Sequence, residues 1–283
     1  MANDLPTLAV TGATGALGGM VARQLADAGV PQRLLVRHTA KMPPLPDTPV
    51  FATSYADKEH AARALRGVQT LFMVSAAENP HRAEDQRTFV DAAAEAGVQH
   101  IVYTSFMGAG PDDVFTLGRD HWDTEEHIKA RGLQYTFLRD CFYQDILPSF
   151  VGRDGVIRGP AADGRFAPVA RSDVARTAVQ ILRDPQAHAG ATYTLTGPQS
   201  LTMAEVADVL SRVTGQQITY HAETLDEAVE SRRAAGASEW QAVAWSTSYA
   251  AIATGELAQV SDDIARLTGT APLSFEDHLR SVG

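Results

Sequence analysis

A short apolar run, Leu8-Ala9-Val10-Thr11, stops at glycine and gives way to Gly12-Ala13-Thr14-Gly15-Ala16-Leu17-Gly18. Leu17, Val21, Leu25 and Ala28 then recur at helical spacing, and Gly29 closes the stretch. Three glycines spaced in this way between a strand and a helix restrict the chain strongly. Glycine permits the sharp turn and lets a phosphate approach bare backbone N–H groups at a helix N-terminus. The third glycine allows the helix to pack closely on the strand. The spacing is not the plain G-x-G-x-x-G of the general fingerprint, and a tight structural turn would use the same residues. The flanking strand and helix argue for a dinucleotide pyrophosphate.

The first half repeats this alternation. Strand-like runs at Leu34-Leu35-Val36, Val50-Phe51-Ala52, Thr70 to Val74, His100 to Tyr103 and Tyr135 to Leu138 are separated by helical patterns. These include Ala61 to Leu65, Arg82 to Ala96 and Leu117 to Ala130, and a Pro-rich loop holds Pro43, Pro44, Pro46 and Pro49. Continuous apolar strands joined by helices predict an α/β fold, a Rossmann-type doubly wound parallel sheet. After about Leu138 the rhythm loosens. Gly152, Gly155, Gly159 and Gly164 mark loops, a helix spans Ser172 to Leu182, and Thr192 to Leu195 reads as a strand. Helical patterns from Met203 onward predict a small, mostly helical C-terminal lobe packed on the first domain. The expected division is 1–150 for the dinucleotide-binding domain and 151–283 for the substrate-side lobe, with the chain free to cross back.

With 283 residues, 45% apolar and 20% charged, there is material for a sizeable core. The net charge of −10 argues against nucleic acid and anionic membrane as partners. No apolar run approaches the ~20 residues of a membrane span. Met1-Ala2-Asn3-Asp4-Leu5-Pro6 has no basic, apolar leader pattern, so a cytoplasmic location is expected. The single cysteine, Cys141, forms no disulfide within the chain and has no activating neighbour in sequence. A His-Glu-x-x-His pattern is absent, and no metal is expected.

Arg37-His38 ends the second strand, 25 residues after Gly12. An NAD site usually has an acid here for the ribose hydroxyls. An arginine suits the 2′-phosphate of NADP(H), although a solvated surface arginine would read the same.

Thr11-Gly12-Ala13-Thr14-Gly15-Ala16-Leu17-Gly18-Gly19 resembles the opening of the atypical short-chain dehydrogenase/reductases, and within them the NmrA-like group, with its quinone reductases and triphenylmethane-dye reductases. The resemblance continues through Ala96-Gly97-Val98-x-His100-Ile101-Val102-Tyr103-Thr104, His121-x-x-Thr124-Glu125 and Tyr135-Thr136-Phe137-Leu138-Arg139. It extends to Val169-Ala170-Arg171-x-Asp173-Val174-Ala175 and Tyr193-x-Leu195-Thr196-Gly197. It implies NADPH along the C-terminal edge of the sheet. Gly12, Thr14, Gly15, Ala16, Leu17 and Gly18 would surround the pyrophosphate and Arg37 would hold the 2′-phosphate. Tyr55 would lie near the adenine, Ser75 and Ala76 along the ribose, and Thr104 and Ser105, after the fifth strand, near the nicotinamide.

One departure bears on chemistry. Ordinary short-chain dehydrogenases use Tyr-x-x-x-Lys as the proton-donating pair. Here the lysine position falls on His121 and the tyrosine position on Leu117. That disfavours plain alcohol dehydrogenation and suits an acceptor that stabilises its own charge. His121 and Glu125, four apart on one helical face, are the catalytic candidates, His121 as proton or hydrogen-bond donor and Glu125 orienting it. A helix-packing histidine would have the same spacing. Glu126 and His127 read as solvated, and Arg139 with Asp140 as an ion pair. Phe106, Met107, Phe142 and Tyr143 follow strands five and six and, with Trp122, offer an apolar slot for a flat acceptor; core packing would use the same residue types. Trp240 and Trp245 read as core or cleft wall.

Two functions of different class follow. The first is an NADPH-dependent oxidoreductase passing hydride to a quinone-like or conjugated small organic acceptor. The second is a non-catalytic NAD(P)-binding redox sensor acting through a protein partner. A homodimer is compatible with either.

Overall fold

The computed structural model describes residues 5–41 and 44–282. Met1 to Asp4 of the N-terminal reading, and Pro43 of the Pro-rich loop, lie outside the described residues.

The sheet is built from β1 (Leu8–Thr11), β2 (Arg33–Val36), β3 (Val50–Ala52), β4 (Thr70–Met73), β5 (His100–Phe106), β6 (Gln134–Asp140) and, later in the chain, β9 (Ala191–Leu195). Its order is β3-β2-β1-β4-β5-β6-β9. The pairs β2–β3, β1–β2, β1–β4 and β4–β5 are all parallel, with Val10 opposite Leu34 and Phe72, and Phe72 opposite Val102. The order reverses beside β1, which is where a doubly wound sheet opens its ligand crevice. The connecting helices are α1 (Ala16–Asp27), α2 (Lys58–Leu65), α3 (Arg82–Glu95) and α4 (Thr116–Ala130). One face of the sheet presents Ala9, Leu35, Leu71, Met73, Ile101, Tyr103 and Phe137. These pack with Ala64 and Leu65 of α2, Phe89 and Val90 of α3 and Ile128 of α4. Val10, Leu34, Phe72 and Val102 on the other face are equally buried. Burial on both faces is why the strands read as unbroken apolar runs.

The rest comprises β7 (Val156–Gly159), β8 (Arg165–Phe166), α5 (Arg171–Arg183), β10 (Leu201–Thr202), α6 (Met203–Thr214), β11 (Thr219–Ala222), α7 (Leu225–Ala234), α8 (Glu239–Thr254), α9 (Asp263–Thr268) and α10 (Phe275–Val282). The stretch expected to be loops therefore carries two short strands. β7 pairs in parallel with β11, and β8 antiparallel with β10. Helices α6, α7 and α8 each start with a capping box, Thr202 with Glu205, Thr224 with Glu227, and Ser238 with Gln241. Each cap contributes about 1 kcal/mol by satisfying two otherwise orphaned N–H groups.

The chain divides into two compact units. The first holds the described residues through Ser105, His121–Arg139 and Val174–Tyr193. The second holds Phe106–Asp120, Asp140–Asp173 and the residues from Thr194. The units thus alternate along the chain. Among the described residues no helix is long and apolar enough to cross a membrane.

Candidate functional site

The glycine turn lies at the carboxyl end of β1. Gly12 has φ +65°, a conformation that strongly favours glycine, and Gly15 N–H closes the turn on Gly12 C=O at 2.8 Å. A Cβ on Gly18 would stand 2.4 Å from Gly12 O and 2.6 Å from Thr11 O, so the third glycine is what seats α1 on β1. Gly15 is the N-cap of α1, no side chain caps that helix, and its first turn carries no acid. Thr14, Gly15 and Ala16 are exposed, whereas Leu17 and Gly18 are buried beneath them. An open, uncapped helix N-terminus free of acids fits a dinucleotide pyrophosphate.

Thr11 braces the turn from below. Its hydroxyl lies 2.7 Å from Tyr55 Oη and accepts from Val74 N–H at 2.9 Å, while Tyr55 Oη donates to Val74 C=O at 2.5 Å. Tyr55 stacks one ring face on Phe89 at 4.2 Å. Burial raises its phenol above the ordinary range. Arg37, just beyond β2, is exposed and has no hydrogen-bond or ion-pair partner among the described residues.

At the ends of β4 and β5 the polar groups interlock. Ser75 N–H donates to Thr104 Oγ1 at 2.8 Å. Ala76 is held at both ends of its polar backbone: its N–H donates to Gln86 Oε1 and its C=O accepts from Arg82 Nε, each at 3.0 Å. Arg82 Nη2 lies 2.9 Å from His121 Nε2, and His121 Nδ1 lies 3.0 Å from Tyr103 Oη, which donates to Gln86 Oε1 at 3.1 Å. A guanidinium only donates, so Nε2 must accept and the ring proton sits on Nδ1. Burial, Arg82 and Arg139 together hold the imidazole well below its ordinary pKa.

His121 is therefore a neutral, buried ring with both nitrogens engaged. That corrects the expectation of a proton donor titrating near its ordinary value. Glu125 does not share its bonds. Its Oε1 accepts from Ser105 Oγ at 2.6 Å and from Arg139 Nε at 2.9 Å, and its Oε2 from Arg139 Nη2 at 2.6 Å. Helical spacing puts the two residues on one face, but each is bonded to a different element. The expected Arg139–Asp140 pair is likewise replaced, because Arg139 goes to Glu125 and Asp140 to Tyr143. His127 and Glu126 are not simply solvated: they bond Asp91 at 2.8 Å and Lys129 at 2.7 Å.

Strand β5 runs on through Phe106, so Thr104 and Ser105 lie within it, both buried, rather than after it. Their hydroxyls find internal partners, which lets a polar pair continue a buried strand. In the second unit Phe106, Phe115, Phe142 and Phe166 form an aromatic cluster, with Phe106–Phe142 centroids 5.6 Å apart and Phe142–Phe166 5.7 Å. Phe106, Met107 and Phe142 belong to that core, and Tyr143 is half-buried beside it. Cys141 is fully enclosed and burial pushes its thiol up to about 12, so it is no nucleophile. Trp240 packs against the same core, while Trp245 is 39% exposed.

Arg82, Gln86 and Tyr103 escaped the sequence reading. Their only signal was polarity on helix and strand faces otherwise given to the core.

The NmrA-like family matches residues 5–232. The NAD(P)H azoreductase of Xenophilus azovorans is 31% identical over 277 residues, covering 96% of each chain. Among solved structures, the Escherichia coli NADPH-dependent quinone oxidoreductase complexed with NADPH aligns with TM-score 0.88 and 28% identity over 97% of this chain and 99% of that one. The Citrobacter sp. triphenylmethane reductase complexed with NADP(H) aligns with TM-score 0.84 and 30% identity over 98% and 100%. With the glycine turn, the sheet and the interlocked edge inside the matched region, this chain belongs to the NmrA-like family.

Proposed function

We propose that this chain is an NADPH-dependent reductase, of the atypical short-chain dehydrogenase/reductase class, that passes hydride to a quinone-like or conjugated small organic acceptor. The observation that carries the reading is the uncapped, exposed helix N-terminus at Gly15 with an exposed Arg37 at the next strand end that has no partner among the described residues. Together they offer backbone donors to a pyrophosphate and a guanidinium to a 2′-phosphate. Relatives that carry NADPH or are named for quinone, azo and dye reduction support the same chemistry.

Bound NADPH supplies the hydride. Gly12, Thr14, Gly15, Ala16, Leu17 and Gly18 would line its pyrophosphate. Tyr55 would meet the adenine with the ring face away from Phe89, and Ser75 and Ala76 would follow the ribose. Thr104 and Ser105 would approach the nicotinamide. Phe106, Met107, Phe142 and Tyr143 would favour a flat acceptor. His121 and Glu125 act as positioning residues, His121 through Arg82 and Tyr103, Glu125 through Ser105 and Arg139. The working location is the cytoplasm, where NADPH is supplied.

The test is a fluorescence titration with NADPH and NADH, followed by a panel of quinones and conjugated dyes read at about 340 nm, where reduced nicotinamide absorbs. NADPH binding tighter than NADH, with acceptor-dependent oxidation, is expected. Tight binding with no oxidation by any acceptor would overturn the enzyme in favour of a dinucleotide-binding sensor.

A further inference from the structure

Strand β9 stands last in the sheet order, with β6 as its neighbour, and the turn Pro185–His188 leads into it from α5. A strand paired on one side only is the part of a sheet that opens most readily. A chain of polar groups within the first unit ties its approach down. Gly190 N–H donates to Tyr135 C=O at 2.7 Å. Thr136 Oγ1 donates to His188 C=O at 2.8 Å and lies 2.8 Å from His100 Nε2. His188 Nδ1 lies 2.8 Å from Tyr193 Oη, and the two rings meet edge to face at 5.7 Å.

Counting hydrogens fixes the state of His100. Thr136 has one hydroxyl hydrogen and gives it to His188 C=O, so its oxygen accepts from His100 Nε2–H. A neutral imidazole carries one ring proton, so Nδ1 is a bare lone pair. The residue is 0% exposed, and Nδ1 is buried with no hydrogen-bond partner among the described residues. A second proton would have to sit on Nδ1, where it would bury both a charge and an unpaired donor. The closed arrangement accepts the neutral ring and rejects the charged one.

We infer that His100 works an acid-released latch, which holds the turn Pro185–His188 and the first residues of β9 on the sheet while the ring is neutral and frees them when it takes up a proton. Alternation along β5 puts His100 on the face opposite Ile101 and Tyr103. Lys129 stands over the Tyr135 and Phe137 rings on that opposite face. On its own side His188 is the titratable neighbour that bears on the charge of His100, and it opposes a proton. Tyr193 is engaged with His188, and Arg183 and Asp184, between α5 and the turn, are exposed. Burial first, and His188 second, hold His100 below its ordinary pKa. Once the turn opens and water reaches the ring, it titrates near ~6.5. The latch is therefore at full strength above about pH 6.5 and weakens as pH falls below it.

Hydrogen exchange, corrected for intrinsic rates, tests this on the whole protein. Between pH 7.5 and pH 5.0 the opening constant of the amides from Ala187 to Tyr193 should rise about 10- to 30-fold, while the amides of β1 and β4 change by less than about three-fold. His100→Gln keeps a donor for Thr136 and has nothing to titrate, so its rise should stay below about three-fold. His188→Gln keeps the backbone carbonyl that Thr136 uses, so its rise should stay within about three-fold of the parent protein's. Nitrogen-15 NMR of labelled histidine in the parent protein reads the ring directly, and at pH 7.5 should show His100 protonated on Nε2 alone. A parent protein whose exchange does not respond to pH, an equal rise in His100→Gln, loss of the rise in His188→Gln, or a proton on Nδ1 at pH 7.5 would each overturn the inference.

Discussion

In the first unit Arg82, His121, Tyr103 and Gln86 pass hydrogen bonds from one to the next and end on the Ala76 peptide. In the second, Asp113 leaves Oδ2 buried with no partner, and burial raises both Asp113, to about 6, and Asp140, to about 8. One interior satisfies its polar groups by exhausting donors against acceptors. The other makes its buried acids harder to ionise by withholding water. The carboxyl edge of the first unit's sheet is closed in this way, and its orphaned buried atoms, Gln32 Oε1 and His100 Nδ1, lie by the amino ends of β2 and β5. What that edge leaves open is the helix N-terminus at Gly15 and the guanidinium of Arg37. Closure of the side-chain network is what makes the remaining donors available to a ligand rather than to the protein itself.

The strongest way to break this comparison is to open the network. His121→Ala removes the acceptor for Arg82 Nη2 and the donor to Tyr103, leaving buried polar groups short of a partner. The expected loss is roughly 2–5 kcal/mol of unfolding free energy in a urea titration at pH 7.5. A loss below about 0.5 kcal/mol would mean the network contributes nothing net. The pH dependence adds a sign. His121 is held below its unfolded pKa, so its contribution is present above about pH 6.5 and fades as pH falls. The gap between parent and His121→Ala should therefore narrow in acid.

The open groups sharpen the comparison from the other side. Gly15 has φ −91°, and an added Cβ would meet only Gly12 O, at 3.2 Å. Gly15→Val should leave the melting temperature within a few degrees while weakening NADPH by about 100-fold through obstruction of the pyrophosphate. Arg37→Ala removes one charge-assisted partner, worth about 1.5–3 kcal/mol, so NADPH should weaken roughly 10- to 100-fold and NADH hardly at all. Equal weakening of both cofactors would take the 2′-phosphate away from Arg37.

The sheet was legible because its signals are local. Val50–Ala52 and Leu8–Thr11 are apolar runs that end where the structure ends them, and the glycine turn depends on backbone conformation and close approach within seven residues. The site was less legible because partner choice is not local. His121 and Glu125 share a helical face, yet Arg82 reaches His121 from 39 residues earlier in the chain and Arg139 reaches Glu125 from 14 residues later. Spacing supplied the face but not the partners. Strands β7, β8, β10 and β11 have two to four residues each, too short to establish a period. The extension of β5 through Thr104 and Ser105 hid behind polarity that only the assembled interior satisfies.

The smallest effect is also the most diagnostic of the second unit. Asp113 Oδ1 accepts from Phe115 N–H at 2.8 Å, while Oδ2 is aimed at Gly118, where an added Cβ would come within 1.9 Å of it. An unfolded aspartate titrates near ~3.9, whereas burial sets this one at about 6 in the folded chain, with Glu256 pushing the same way. Folding at neutral pH must therefore either take up a proton or bury a charge. The stabilising contribution of Asp113 is full below about pH 4 and is lost as pH rises through about 6. Asp113→Asn removes the titration and keeps the bond to Phe115. Relative to the parent protein it should gain on the order of 1–2 kcal/mol in urea titrations between pH 4.5 and pH 7. The direction is opposite to that at His121, where the parent protein's advantage over the alanine variant grows with rising pH. If the difference between the parent protein and Asp113→Asn stays flat across that range, Asp113 is charged in the folded chain, and the contrast between a bonded interior and a proton-holding one loses its second half.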